Sequence, residues 1–180
     1  MRIPLVTIQI IWGLLLFNLM MPNFIHAQSS NTAEYNIKQK NITLPEPLQP
    51  VGNYVPAVRG GNLLFLSGHG PSQFTPRGKI GKDLTIEQGY QAARITGLNI
   101  LVTIRTHLGS LNKVKRIVKV MGMVNSAPGF TDQPKVIDGF SDLMTEVFGD
   151  KIGIHARSAV GVAELPLNIP VEIEMVIEVE

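Results

Sequence analysis

Charged residues alternate along the last two extended segments of the chain, and they are the first candidates for chemistry. In Ala156–Glu164, Arg157, Ala159 and Gly161 alternate with Ser158, Val160 and Val162; in Val171–Val179, Glu172, Glu174 and Glu178 alternate with Val171, Ile173, Met175, Ile177 and Val179. Residues two apart on a strand share a face, so each segment is expected to be a strand with one charged or small-residue face. A sheet face bearing Arg157 and Glu172 beside glycine and alanine suits a subunit contact that encloses a small polar pocket. The plainer alternative is a solvated face carrying an ordinary Arg–Glu pair.

Other constellations point less clearly to a reaction. His26, His69, His107 and His155 form neither a helical i, i+4 pair nor an HExxH pattern, which argues against a catalytic zinc site. His155, two residues from Arg157, could reach the same pocket and titrate near neutrality. Ser67 lies outside any G-x-S-x-G elbow, against a serine nucleophile, and Gly68-His69-Gly70 lacks the helix N-terminus of a phosphate cradle. Lys113, Lys115, Arg116 and Lys119 cluster without an aromatic platform for bases, so they read as a solvated edge rather than an RNA surface.

The elements that position these residues must come from a chain of 180 residues that is 44% hydrophobic, 17% charged and free of cysteine. That composition excludes a disordered tail, a disulfide-stapled miniprotein, thiolate catalysis and cysteine-ligated zinc. A formal charge of +2 excludes the strongly basic balance of a dedicated nucleic-acid binder, and no specific nucleic-acid partner is expected. The apolar run Ile10–Met21 follows Arg2 and precedes Ile25-His26-Ala27. It is expected to act as a secretory signal peptide over residues 1–27, leaving an exported protein, periplasmic or secreted, with no membrane attachment; an uncleaved anchor is the lesser alternative. Residues 28–43 are polar and aperiodic and read as a flexible leader containing the sequon Asn41-Ile42-Thr43. The domain itself is expected over residues 44–180.

Within the domain, three prolines make Leu44–Pro50 an extended lead-in. Asn62–Ser67 reads as a buried strand between glycine turns, with Lys79–Lys82 as its short partner. Thr85-Ile86-Glu87-Gln88 is a capping box opening a long helix along Ile86, Tyr90, Ala93, Gly97, Ile100, Ile104 and Leu108, closed by Gly109. Val114–Val124 is β-branched and reads as a strand. A second helix, capped by Thr131 or Asp132 and stopped by Gly149, carries Val136, Phe140, Leu143 and Val147 on one face. With the two terminal strands the order is β-β-α-β-α-β-β, an α+β layer in which two helices cover one face of a mixed sheet.

Three blocks in this order resemble the Rid family of reactive intermediate deaminases, also called YjgF-like or endoribonuclease L-PSP. They are Gly52-Asn53-Tyr54-Val55-Pro56 leading to Leu66-Ser67-Gly68, then Val118–Phe130, then the terminal segments HARSAVGVAELP and VEIEMVIEVE. The resemblance spans about residues 48–180. It implies a chorismate-mutase-like (bacillary) fold and a homotrimer with a barrel-like centre and pockets at its subunit interfaces. It also implies hydrolysis of small 2-imino or enamine acids to 2-keto acids and ammonia, with no metal or organic cofactor. By the same resemblance Arg157 binds the substrate carboxylate, a task suited to the planar fork of a guanidinium, and Glu172 orients the attacking water. Tyr54, Ser67, Gly68 and Ala159 fall on substrate-binding positions. Three departures mark a divergent branch: Ala159 stands where the family's deaminases usually carry cysteine, Asp138, Gly139 or Phe140 stands near the expected asparagine, and the Lys151-Ile152-Gly153-Ile154-His155 approach to Arg157 differs. A noncatalytic protein that binds small carboxylate metabolites is the alternative from another class, and an endoribonuclease acting through the basic edge is a weaker one.

Overall fold

The computed structural model describes residues 32–47 and 52–180. The expected signal peptide, the start of the leader and the end of the proline-rich lead-in lie outside the described residues. Five strands form one sheet: β1 (Ala57–Gly60), β2 (Leu63–His69), β3 (Val114–Asn125), β4 (Ala156–Val162) and β5 (Val171–Val179), in the order β1-β2-β5-β3-β4. All neighbours are antiparallel except β3 and β4, which run parallel. The helices are α1 (Ala33–Gln39), α2 (Ile86–Leu108), α3 (Gln133–Phe148) and the short α4 (Asp150–Gly153). A parallel pair needs a crossover, and α3 with α4 supplies it between β3 and β4.

Local signals set the two long helices. Thr85 Oγ1 accepts from the Gln88 amide while the Gln88 side chain accepts from the Thr85 amide, and Gly109 closes α2 at φ 78°, a left-handed conformation that glycine adopts without Cβ strain. The two helices cross very closely: a Cβ on Gly139 would fall 2.1 Å from the Tyr90 carbonyl oxygen. Their apolar sides, including Ala93, Ile100, Ile104, Phe140, Leu143 and Val147, are buried against the inward row Val171, Ile173, Met175, Ile177 and Val179 of β5. This single core lies between the helix pair and one sheet face, as the alternation in β5 requires.

Two sequence expectations need correction. The antiparallel partner of β2 is β1, upstream, joined through Gly61 at φ 62° and Asn62. Lys79–Lys82 forms only isolated bridges, from Ile80 to Leu84 and to Ser126. A two-residue glycine turn closes a hairpin more readily than a long loop, and Ala57–Gly60 is too short and exposed to announce itself by hydrophobicity. The leader, in turn, is helical over Ala33–Gln39. Thr32 caps it, Ala33 and Ile37 are buried, Asn36 donates to the Val147 carbonyl at 2.9 Å, and Glu34 pairs with Arg105 at 2.6 Å while accepting from the Leu111 amide. An isolated seven-residue helix is unstable in water; these contacts with α2, α3 and the turn before β3 hold it. No helix among the described residues is long and apolar enough to cross a membrane.

Candidate active site

The expected site residues fall into two groups. Tyr54, Ser67, Gly68 and Glu172 line one cavity of about 320 Å³, together with residues of the 70–77 loop and of the turn at Pro166–Ile169. Arg157 and Ala159 do not reach it. The register explains why: Arg157 pairs with Val120, which pairs with Met175, and all three face the helices, whereas Glu172 pairs with Met123 on the uncovered face. Side chains of directly paired residues share a face, so Arg157, Ala159 and Gly161 lie on the helix side. The expectation of a single sheet face bearing both Arg157 and Glu172 is therefore corrected. It failed because one-strand alternation fixes which residues go together but not which face they take.

In the cavity, Glu172 extends across β2 at the irregularity between Leu66 and His69. A Cβ on Gly68 would fall 2.0 Å from Glu172 Oε1, so only glycine lets this carboxylate lie against the strand. Burial, with a smaller contribution from the Glu174 charge, raises the Glu172 pKa above the ordinary carboxylate value. Ser67 donates to the Val55 carbonyl at 2.7 Å, an arrangement that fixes the segment carrying Tyr54 and leaves no activating base on the serine. The Tyr54 side chain is half-exposed at the mouth.

His69, behind this wall, is buried. Its Nδ1 lies 2.7 Å from the Ser67 carbonyl and its Nε2 lies 2.9 Å from Thr103 Oγ1. A carbonyl only accepts, so Nδ1 carries the proton and Nε2 accepts from the threonine. Desolvation lowers the His69 pKa against the opposing pull of that carbonyl. On the opposite rim, Leu167 and Asn168 adopt left-handed backbone angles of φ 57° and 55°. Buried Asn125 holds this turn by donating to Asn168 Oδ1 and the Ile169 carbonyl at 3.0 and 3.2 Å. Backbone outliers held in this way gather at functional sites.

The second group centres on Arg157, whose Nη1 donates to Asp138 Oδ1 at 2.8 Å and Ser141 Oγ at 2.9 Å. Of Asp138, Gly139 and Phe140, it is thus Asp138 that meets the guanidinium, beside Ser141. Ser141 is 3.1 Å from His155 Nε2, and His155 Nδ1 is 2.6 Å from the Gly153 carbonyl. The same donor logic makes His155 protonated at Nδ1, with Ser141 donating to Nε2 and accepting from Arg157. Burial first, and then the Arg157 charge, lower the His155 pKa. Among the described residues Arg157 Nε and Nη2 have no partner, leaving one edge of the fork for a ligand.

The basic cluster is occupied intramolecularly. Lys113 donates to the Leu108 carbonyl, Lys115 pairs with Glu180, Arg116 donates to the Lys151 carbonyl and Lys119 to Ser158 Oγ. Sequence reasoning missed Arg77, which lines the cavity; a lone arginine in a loop carries no periodic signal. Among the described residues, no group of three or more His, Cys, Asp or Glu is placed to hold a metal ion.

Comparison with known proteins agrees with the fold. Residues 34–179 match the family described as "YjgF/chorismate mutase-like, putative endoribonuclease", a span that takes in all of α1 but its first residue. The chain is 40% identical over 153 residues to Protein TCP17 of Trypanosoma cruzi, covering 83% of this chain and 96% of that one. It is 32% identical over 139 residues to a 2-iminobutanoate/2-iminopropanoate deaminase of Dermatophagoides farinae, covering 77% and 95%. Among solved structures, a protein of unknown function from Agrobacterium tumefaciens superimposes with a TM-score of 0.74 at 38% identity, covering 83% of this chain and 93% of that one. The chain belongs to the YjgF/chorismate mutase-like family.

Proposed function

We propose that the protein hydrolyses small 2-imino acids to 2-keto acids and ammonia, in pockets that two protomers of a homotrimer build together. The observation that carries this reading is the separation of Glu172 and Arg157 onto opposite sheet faces of one protomer, each beside half of a polar site. A neighbouring copy packed against the uncovered face would bring its own Arg157 edge to the Glu172 cavity. Exposed Val58, Phe65 and Val160 supply apolar area on that face for such a contact. The deaminase relative supports the choice of reaction.

In this site the free edge of Arg157 holds the substrate carboxylate, which orients C2 of the imine towards Glu172. A water held by Glu172 adds to C2 as the C=N π pair moves to nitrogen. Glu172 takes the water's proton and returns it to the amino nitrogen of the resulting carbinolamine. Glu172 then takes the hydroxyl proton of the carbinolamine and passes it to the amino nitrogen as C=O forms and the C–N bond breaks, so nitrogen leaves as ammonia. One imine and one water give one keto acid and one ammonia. A carboxyl group with a raised pKa is well matched to both proton transfers.

A specific observation favours a second reading. Asp138 already pairs with Arg157, as it could in a noncatalytic protein that captures carboxylate metabolites. Imines generated in situ from several amino acids by an amino-acid oxidase separate the two. The deaminase reading expects hydrolysis that is lost in both Arg157→Ala and Glu172→Ala. No turnover of any imine by the folded protein would leave the binding reading.

A further inference from the structure

We infer that Arg77 recognises a second carboxylate on the substrate, so that the preferred ligands are short 2-imino and 2-keto dicarboxylic acids. This rests on the reading of the Glu172 cavity as the imine-binding pocket. Arg77 lines that cavity with Ser67, Gly68 and Glu172, and its Nη1 is buried without a hydrogen-bond partner among the described residues. Among the described residues it forms no ion pair with Glu172 or any other acid. A guanidinium partly withdrawn from water with no acid beside it is costly, and a ligand carboxylate placed against its cavity side would offset that cost.

The loop carrying Arg77 is held in place before any ligand arrives. Asn99 donates to the Gly70 carbonyl at 2.9 Å on one side, and on the other the Gly78 amide donates to Asn168 at 3.0 Å and the Ile80 amide to Asn125 at 2.8 Å. Immediately after Arg77, the Lys79 amide is fixed by Asp83 at 2.9 Å. Donors held this way lose little freedom on binding.

The chemistry of the wall narrows the ligand class. A guanidinium pairs with a carboxylate or a phosphate through parallel donors. Among the described residues, no basic side chain besides Arg77 and the buried His69 lines the cavity, and no helix N-terminus opens into it. One positive charge balances one carboxylate, whereas a phosphate dianion would call for more donors. Apolar Pro56, Leu167 and Ile169 complete the wall beside a short methylene chain. With the C1 carboxylate on Arg157 of a neighbouring protomer, Arg77 is left for the distal carboxylate.

The test measures dissociation constants of 2-oxoglutarate and 2-oxobutanoate by calorimetry on the purified protein and on Arg77→Met and Arg77→Lys, with thermal unfolding as the check on folding. Charge-assisted hydrogen bonding of this kind corresponds to about tenfold or more in affinity. The wild-type protein should therefore bind 2-oxoglutarate about tenfold or more tightly than 2-oxobutanoate. That ratio should fall to near one in Arg77→Met and recover in part in Arg77→Lys. Equal affinities in the wild type, no binding of 2-oxoglutarate, or a preference that survives Arg77→Met would overturn the inference. Because the readout is binding, absence of imine turnover contradicts the deaminase reading separately.

Discussion

Arg157 and Glu172 lie on opposite faces of the same sheet: Arg157 faces the helices through its register with Val120, and Glu172 faces outwards through its register with Met123. Arg157 does not line the Glu172 cavity, so the proposed site that uses both requires a neighbouring copy. Closed rings of identical subunits provide such heterologous contacts.

Gly68→Ala tests the close approach of Glu172 to β2. The added methyl would meet Oε1 at 2.0 Å, so the carboxylate must swing away. Imine turnover is expected to fall by about a hundredfold or more, the usual scale for a displaced acid–base group. Tm should change little, because Gly68 is only half-buried at the cavity wall. Kinetics alongside thermal unfolding check it.

Asp138 accepts from Arg157 Nη1 at 2.8 Å, so its charge opposes a second carboxylate on the guanidinium's free edge. Asp138→Asn removes the competing charge and keeps a hydrogen-bonding side chain. Affinity for 2-keto acids should rise severalfold, on the order of the 0.2–1 kcal/mol measured for partly exposed ion pairs. Weaker binding would mean that Asp138 orients the fork rather than occupies it. Calorimetric titration distinguishes the two.

The contribution of the buried histidines to stability should fall as pH drops below 6.5. Both His69 and His155 have folded-state pKa values lowered from 6.5, chiefly by burial. Between the lowered values and 6.5 the unfolded chain binds more protons than the folded one, so acid favours unfolding in that window. Their contribution is complete above 6.5 and declines below it. Glu172 has the opposite sign: its pKa is raised, so ionisation at neutral pH opposes folding, and Glu172→Gln should raise Tm at pH 7 while abolishing turnover. Denaturant melts across this pH range, with His69→Gln as the flattened control, check both.

Much of this architecture was legible in the sequence. The capping box at Thr85, the stops at Gly109 and Gly149 and the alternation in β5 were written in local signals, and the structure places each where those signals put it. Three features were not readable locally. β1 is four residues long and mostly exposed, α1 depends on partners far along the chain, and the face taken by Arg157 depends on the parallel crossover through α3. Tyr54, Ser67, Gly68 and Glu172 line one cavity, which Arg157 and Ala159 do not. Arg77 was missed because its significance lies in what surrounds it.

Helix α1 offers a separate check on the fold. Glu34 pairs with Arg105 and also accepts from the Leu111 amide, so Glu34→Ala removes an ion pair and strips a backbone donor of its acceptor. Destabilisation of about 1–3 kcal/mol is expected, with amide exchange rising first over Ala33–Gln39. Unchanged exchange there would mean that buried Ala33 and Ile37 suffice to dock the helix.

The most direct test of the shared site mixes two inactive variants. Arg157→Ala and Glu172→Ala are co-expressed in equal amounts so that subunits assemble at random, and imine hydrolysis is measured on the purified mixture. If each site takes Arg157 from one protomer and Glu172 from the next, about a quarter of the sites regain both residues by random assortment around the ring, and about a quarter of wild-type activity should return. A mixed assembly as inactive as either variant alone would contradict the account.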